Sequence, residues 1–163
     1  MNVPISVTVN GREHELLVDT RLTLVYMLRE KLGLTGSHVG CATGNCGACT
    51  VMLDRRTVKS CSILAADVNG QEIATIEGLS SGVDDLHSIQ RAFVENQGLQ
   101  CGFCTPGMIM STLQLLEETP DPTEDEVRHA IAGNLCRCTG YQLIVKSILE
   151  AAKTLQATAS APA

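Results

Sequence analysis

The sequence predicts an α+β protein of two modules, a strand-rich one followed by a helical one. Three observations support this fold class. Apolar and polar residues alternate near the N-terminus, as they do along a half-buried strand. From about Ser80 onwards, apolar residues recur at helical spacing instead. The cysteines form two sets of four, one in each half of the chain, so each module is expected to carry its own set.

A predicted hairpin opens the first module. Ile5, Val7 and Val9 alternate with polar neighbours, and Asn10-Gly11 is a strong signal for a two-residue turn. The returning strand is expected over residues 15–18. Because a tight turn joins antiparallel strands directly, this beginning argues against a βαβ series.

A helix and a glycine-rich loop are expected next. Thr23 is a candidate N-cap and Gly33 a candidate stop, and the loop covers residues 36–47. The apolar residues between cap and stop share one helical face: Leu24, Met27, Leu28 and Leu32.

Short strands complete the first module. The sequence favours strands over residues 50–53 and 59–63, on either side of a turn at Asp54-Arg55. A further strand is expected over residues 73–76. Strands that follow a hairpin and a single helix indicate an α+β unit.

Four helices are predicted in the second module. Thr105 is the expected cap of the second helix, since it precedes a proline at the first helical position. Thr123 and Glu126 have the spacing of a capping box for the third. The expected helices carry residues 86–93 with a stop at Gly98, 105–118, 123–133 and 142–155.

These elements suggest the domain organisation. Gly78, Ser80, Ser81 and Gly82 cluster where strands give way to helices. We therefore expect a first domain over residues 1–78, a linker over 79–84 and a second domain over 85–156. Residues 157–163 lack periodicity and are expected to form a mobile tail.

Composition and charge argue against several functions. A formal net charge of −6 disfavours binding to a nucleic-acid backbone. No apolar run approaches the roughly 20 residues that a bilayer-spanning helix needs. The N-terminus has no basic segment followed by an apolar stretch, so the chain is interpreted as cytoplasmic. Clustered cysteines in a reducing compartment favour metal or redox chemistry over disulfides.

The first cysteine set has the spacing C-x4-C-x2-C at Cys41, Cys46 and Cys49, followed by Cys61. This spacing is typical of plant-type [2Fe–2S] proteins. Glycines within the loop allow the backbone to approach a cluster closely. A structural zinc site is the alternative, although four-cysteine zinc sites usually consist of two short pairs.

The second set combines Cys101-Gly-Phe-Cys104 with Cys136-Arg-Cys138. Each half is a weak signal by itself. A CxxC at a helix start could be a thiol–disulfide motif, but the surrounding βαβ pattern of a thioredoxin is missing. Two paired loops favour a metal site, and the spacing does not distinguish iron–sulfur from zinc.

Both sets together show a family resemblance. The motifs that carry it are His38-Val-Gly-Cys41, Cys46-Gly-Ala-Cys49-Thr-Val51, Gln100-Cys101-Gly-Phe-Cys104-Thr-Pro-Gly-Met108 and Gly133-Asn-Leu-Cys136-Arg-Cys138-Thr-Gly-Tyr141. With these motifs the chain resembles the small iron–sulfur subunit of molybdenum hydroxylases, a family that includes xanthine dehydrogenase and aerobic carbon monoxide dehydrogenase. The resemblance extends over roughly residues 3 to 153.

The resemblance implies a fold and two clusters. The first domain would be a β-grasp domain like plant-type ferredoxins, with a [2Fe–2S] cluster on Cys41, Cys46, Cys49 and Cys61. The second would be a four-helix bundle, with another cluster on Cys101, Cys104, Cys136 and Cys138. Residues matching Gln100 and Cys138 also contact the molybdopterin of the partner in this family.

The resemblance further implies a complex. A large subunit would hold molybdopterin, of the cytosine dinucleotide type, and a medium subunit would hold FAD. Electrons would pass from molybdenum through the second cluster and then the first to FAD. The expected assembly is a dimer of heterotrimers in the cytoplasm, where it could also lie against the inner membrane. A stand-alone dicluster carrier and a zinc-stabilised interaction module are the alternatives.

No catalytic constellation is apparent in this chain. It contains no P-loop and no GxGxxG motif after a strand. Since eight cysteines already complete two sites, the histidines are expected to pack or to lie on the surface. These are His14, His38, His87 and His129.

Overall fold

The computed structural model describes residues 1–82 and 84–159. Within them, five strands form one mixed sheet in the order β2-β1-β5-β3-β4. β1 and β5 are parallel, and the other neighbours are antiparallel. The strands are β1 (Asn2–Val9), β2 (Arg12–Asp19), β3 (Thr50–Leu53), β4 (Arg56–Lys59) and β5 (Glu72–Ala74).

The helices lie mainly in the second half of the chain, so the predicted α+β class is confirmed. A short α1 (Leu24–Tyr26) continues as a π-helical turn over Met27–Lys31. Three 3-10 turns cover Ser60–Ser62, Ala65–Val68 and Ile76–Gly78. The later helices are α2 (Ser88–Glu95), α3 (Thr105–Glu118), α4 (Glu124–Ala130) and α5 (Gln142–Ala159).

Each half of the chain has its own apolar core. One core lies between the sheet and α1, and aliphatic side chains and methionine fill it. The other lies among α2 to α5, with the ring of Phe93 fully buried in it. The sheet core includes Ile5, Val7, Val18, Leu24, Met27, Leu28, Val51 and Ile73, and the helical core includes Ile89, Met108, Val127, Ile144 and Ile148.

The strand after the second turn differs from the prediction. It covers Arg56–Lys59, whereas residues 59–63 were expected, and a 3-10 turn over Ser60–Ser62 follows. Asp54 and Arg55 both have positive φ, 46° and 66°, and form a two-residue turn that pairs Leu53 with Arg56. Pairing therefore begins directly after the turn. β2 starts early for the same reason, at Arg12 behind the Asn10-Gly11 turn.

One predicted helix cap is wrong, and another lies at its predicted place without a capping bond. Thr23 lies at the N-cap of α1 but makes no side-chain capping bond, and its buried Oγ1 has no hydrogen-bond partner in the described part of the chain. Thr105 lies inside α3, whose N-cap is Cys104, and its Oγ1 is buried without a partner as well. In both places tertiary packing positions the helix start without a side-chain cap.

Two other helices do begin with capping boxes. At α4 the predicted box is confirmed, because Thr123 Oγ1 accepts from the Glu126 N–H and the Glu126 carboxylate accepts from the Thr123 N–H. α2 is capped by His87, which the sequence did not suggest. Its Nδ1 accepts from the Ile89 N–H at 3.2 Å, and the Gln90 side chain accepts from the His87 N–H at 2.9 Å.

The end of the chain is more helical than expected. α5 continues to Ala159, past the predicted end at Leu155 and into the segment assigned to a tail. Residues 160–163 of that segment lie outside the described residues. None of the helices in the described ranges combines the length and apolarity needed to cross a membrane.

Candidate metal centres

The first four cysteines lie in two pairs beside the sheet. Cys41 and Cys46 are half-buried in the loop before β3, and the Cys46 N–H donates to Cys41 Sγ at 3.4 Å. Cys49, at the end of that loop, and Cys61, in the 3-10 turn after β4, are buried together against Val25. β4 ends early, at Lys59, and the 3-10 turn after it directs the chain inward. This turn brings Cys61 to the other cysteines of the first set.

The backbone of this loop leaves space beside the sulfur atoms. An added Cβ on Gly40 would come within 2.9 Å of Cys46 Sγ, so the close approach requires glycine. Arg29 holds the start of the loop by donating to the carbonyls of Thr35 and Ser37 at 2.5 and 2.8 Å. A loop held in this way can present several thiols to one group.

The second four cysteines also lie in two pairs, between helix ends. Cys101 and Cys138 are exposed, with their Sγ atoms 3.5 Å apart. Cys104 and Cys136 are half-buried, and their thiols contact each other. The Cys136 N–H donates to the Tyr141 hydroxyl at 2.9 Å, so Tyr141 anchors this loop.

Hydrogen bonding and burial act on these thiols in opposite directions. The Thr43 side chain and the N–H groups of Thr43 and Cys46 lower the pKa of Cys41 to about 6. Burial, followed by the neighbouring Cys136, raises the pKa of Cys104 to about 12. Burial opposes ionisation of Cys136 too, but hydrogen bonds from Thr139, Cys138 and Cys104 together outweigh it and lower its pKa. Because metal ligation needs thiolates, the binding of a metal supplies the energy to ionise the buried members.

The pairing of the thiols fits a two-iron cluster. In residues 1–82 and 84–159, no three His, Cys, Asp or Glu side chains come together as a single-ion site. The thiols lie instead as two pairs in each set, and a [2Fe–2S] cluster is held by four cysteines shared between two irons. N–H and hydroxyl groups near the sulfurs supply the hydrogen bonds that stabilise such clusters.

Direct hydrogen bonds join the two candidate centres. The Leu135 N–H donates to the carbonyl of Cys46 at 2.8 Å, so a residue next to Cys136 is bonded to a cysteine of the first set. His38 Nδ1 lies 2.8 Å from the carbonyl of Phe103, and the two rings stack with centroids 4.7 Å apart. One cysteine loop of the first module therefore contacts both cysteine loops of the second.

A buried asparagine lies at the centre of this contact. The Asn134 side chain donates to the Gly47 carbonyl at 3.1 Å and accepts from the Ser111 hydroxyl at 3.0 Å and from Lys59 at 3.3 Å. We call Gly47, Thr50, Lys59, Ser111 and Asn134 the junction. Sequence reasoning assigned no role to Asn134 or Lys59, although Asn134 stands within a cysteine motif.

The other residues singled out from sequence lie near the second centre or in packing positions. Gln100 is exposed and directly precedes Cys101, so it belongs to the same surface as the exposed Cys101–Cys138 pair. His38 and His87 make the ring contact and the helix cap described above. Within the described residues, no histidine joins a metal-binding group.

Comparison with known proteins identifies both modules. Residues 7–80 match the model of the 2Fe-2S iron-sulfur cluster binding domain, and residues 75–149 match that of the [2Fe-2S] binding domain. The chain is thus an iron–sulfur protein with two [2Fe–2S]-binding domains, the class that its fold and paired thiols define.

Comparison with individual relatives narrows this class to one family. The chain is 51% identical to the nicotine 6-hydroxylase small subunit of Paenarthrobacter nicotinovorans, over 91% of this chain and 89% of the relative. It is 47% identical to the caffeine dehydrogenase subunit gamma of a Pseudomonas species, over 93% of this chain and 92% of the relative. The protein belongs to the family of small iron–sulfur subunits of molybdenum hydroxylases, as its motifs predicted.

The fold agrees with this assignment. A chain of the quinoline 2-oxidoreductase structure from Pseudomonas putida 86 superposes with a TM-score of 0.91 and 42% identity, over 96% of this chain and 97% of that one. The aldehyde oxidoreductase of Desulfovibrio gigas has the same TM-score, but this chain covers only 17% of that longer chain. The same fold therefore occurs both in a chain of similar length and within a much longer one.

Proposed function

We propose that the chain is the electron-transfer subunit of a multi-subunit molybdenum hydroxylase. Its first cluster is held by Cys41, Cys46, Cys49 and Cys61, and its second by Cys101, Cys104, Cys136 and Cys138. The observation that carries this proposal is the backbone hydrogen bond from Leu135 to Cys46, which joins the loops that carry the two sets of paired thiols. When bound, each cluster takes up and releases one electron at a time.

The burial of the thiols supports an order for the electron relay, from the exposed cysteines of the second set inward to the first set. Cys101 and Cys138 are exposed, Cys104 and Cys136 lie deeper, and Asn134 and Leu135, just before Cys136, lead through the junction to the first set. The exposed pair, with Gln100 beside it, is suited to face the molybdopterin of a partner. Residues between the two sets keep water away from the path, since Asn134 and Thr50 are buried.

Partners are proposed from the same surface and from the relatives. Large apolar side chains are exposed beside the second set, at Phe103 and Leu135, and a subunit interface would cover them. We propose a large subunit with molybdopterin of the cytosine dinucleotide type, a medium subunit with FAD, and a dimer of such heterotrimers in the cytoplasm. Relatives named as small or gamma subunits support a multi-subunit assembly.

The test is EPR of the dithionite-reduced protein at several temperatures, with iron and zinc measured on the same sample. Two distinguishable S = 1/2 signals and about four irons per chain are expected for two unlike [2Fe–2S] clusters. One signal with about two irons would contradict the two-cluster relay. Zinc in place of iron would leave a structural metal protein and refute the proposal.

The stand-alone carrier is tested by co-purification. Expressed together with the proposed large and medium subunits, the chain should elute with two larger proteins, one containing flavin and one containing molybdenum. Elution alone, with both clusters intact, would favour the dicluster carrier instead. The relatives are named as subunits, which favours the complex.

A further inference from the structure

Lys59 places a half-buried ammonium at the junction. Its Nζ donates to Thr50 Oγ1 at 3.0 Å and to Asn134 Oδ1 at 3.3 Å. The Thr50 hydroxyl donates in turn to the Gly47 carbonyl at 2.7 Å, so its oxygen is left to accept from Lys59. An added Cβ on Gly133 would be 3.4 Å from Nζ, which places the ammonium beside the loop of Cys136 as well.

No carboxylate of the described residues neutralises this charge. In the described ranges, ion pairs involve the N-terminus and other basic residues, and none includes Lys59. Lys59 pairs with Thr50, which directly follows Cys49, and Cys61 comes two residues after Lys59. The ammonium therefore lies beside the chain segments that carry two cysteines of the first set.

We propose that Lys59 is a positioning residue that raises the reduction potential of the first cluster by holding a positive charge beside it. The proposal rests on the proposed function. Reduction adds one electron to the cluster and makes it, with its four thiolates, one unit more negative; no bond forms or breaks. A fixed cation at the junction stabilises that more negative state, and a low local dielectric strengthens the effect.

The effect of removing the charge follows from this reasoning. In Lys59→Gln the side chain still donates a hydrogen bond to the junction, but the positive charge is gone. We expect the reduction equilibrium of the first cluster to become about tenfold less favourable, or about 59 mV lower for one electron. The second cluster should shift in the same direction by less, because Lys59 pairs with the residue after Cys49 and lies two residues before Cys61, and both cysteines belong to the first set.

Two variants serve as controls. Lys59→Arg keeps the charge and should keep the potential near that of the wild type. Arg55→Gln removes the same charge from the turn before β4, where Arg55 is exposed and pairs with Glu117, and should leave the potential unchanged. Lys59→Met provides a second neutral variant, and either neutral variant suffices for the comparison.

The experiment is an EPR-monitored redox titration of the purified protein, with dithionite as the electron source. Far-UV circular dichroism and iron content establish that each variant is folded and loaded. A lower potential in the neutral variants, absent in Lys59→Arg and Arg55→Gln, supports the role of Lys59. Equal potentials in all loaded proteins overturn it and leave the proposed function intact. Absence of cluster signals from the wild type overturns the proposed function as well.

Discussion

Replacing Asn134 with alanine tests whether the junction holds the two modules together. The side chain is buried and makes four hydrogen bonds, two of them near 3.0 Å and two longer, at 3.3 and 3.4 Å. Each bond contributes roughly 0.5–1.5 kcal/mol net. Counting the short bonds fully and the long ones by half gives about 3 kcal/mol. The loss is not smaller, because the buried Ser111 hydroxyl and the half-buried Lys59 ammonium each lose a partner.

The assay is urea unfolding of the loaded protein, followed by far-UV circular dichroism and by the visible absorbance of the clusters. Asn69→Ala is the matched control, since Asn69 is exposed and accepts one hydrogen bond, from the Ser6 N–H at 2.8 Å. We expect the control to lose under about 1 kcal/mol. If Asn134→Ala loses no more than the control, the junction does not stabilise the fold and the reasoning is refuted.

Two further predictions concern close packing and pH. Gly47→Ala should destabilise the protein by about 3 kcal/mol in urea unfolding, because φ is +74° and the new Cβ would meet the Gly133 carbonyl at 2.3 Å. Gly70→Ala, at φ +78° with open space around it, should lose only about 1 kcal/mol, and equal losses would exclude the packing argument. Burial lowers the pKa of His87 below its ordinary 6.5, so the unfolded chain binds the proton more readily. Stability is therefore complete above pH 6.5 and falls as the pH drops towards the lowered folded pKa, because a protonated Nδ1 cannot accept from the Ile89 N–H. Thermal melts of His87→Asn should lack this part of the pH dependence, and an unchanged slope would contradict the capping role.

The fold class and the cysteine sets could be predicted because their signals are local. Alternation at Ile5, Val7 and Val9 reflects a strand with one buried face, and the structure buries all three. Asn10-Gly11 specifies a tight turn by its backbone preference, and both residues have positive φ. The first three cysteines lie in one loop that must wrap around a single group, so their spacing is a local pattern that the sequence shows directly.

Features that depend on distant parts of the chain could not be predicted in this way. Asn134 and Gly47 are 87 residues apart, and nothing in either local segment indicates that they meet. The early start of β4 was missed for a local reason, because the residues of the predicted turn at Asp54-Arg55 are not the usual glycine-containing pair of a two-residue turn. His87 was missed as a helix cap because caps are expected from Ser, Thr, Asp or Asn.

Backbone contacts at and beside the junction hold the two centres in a fixed arrangement. An added Cβ on Gly107 of α3 would lie 2.2 Å from the Gly47 carbonyl, so the helix that starts at the second cysteine set packs directly on the loop of the first. That contact, and the bond from Leu135 to Cys46, use backbone atoms that cannot move without disturbing a cysteine. Folding of the two modules therefore fixes the separation of the centres. Since electron transfer depends steeply on separation, the same contacts that stabilise the fold set the conditions for the relay.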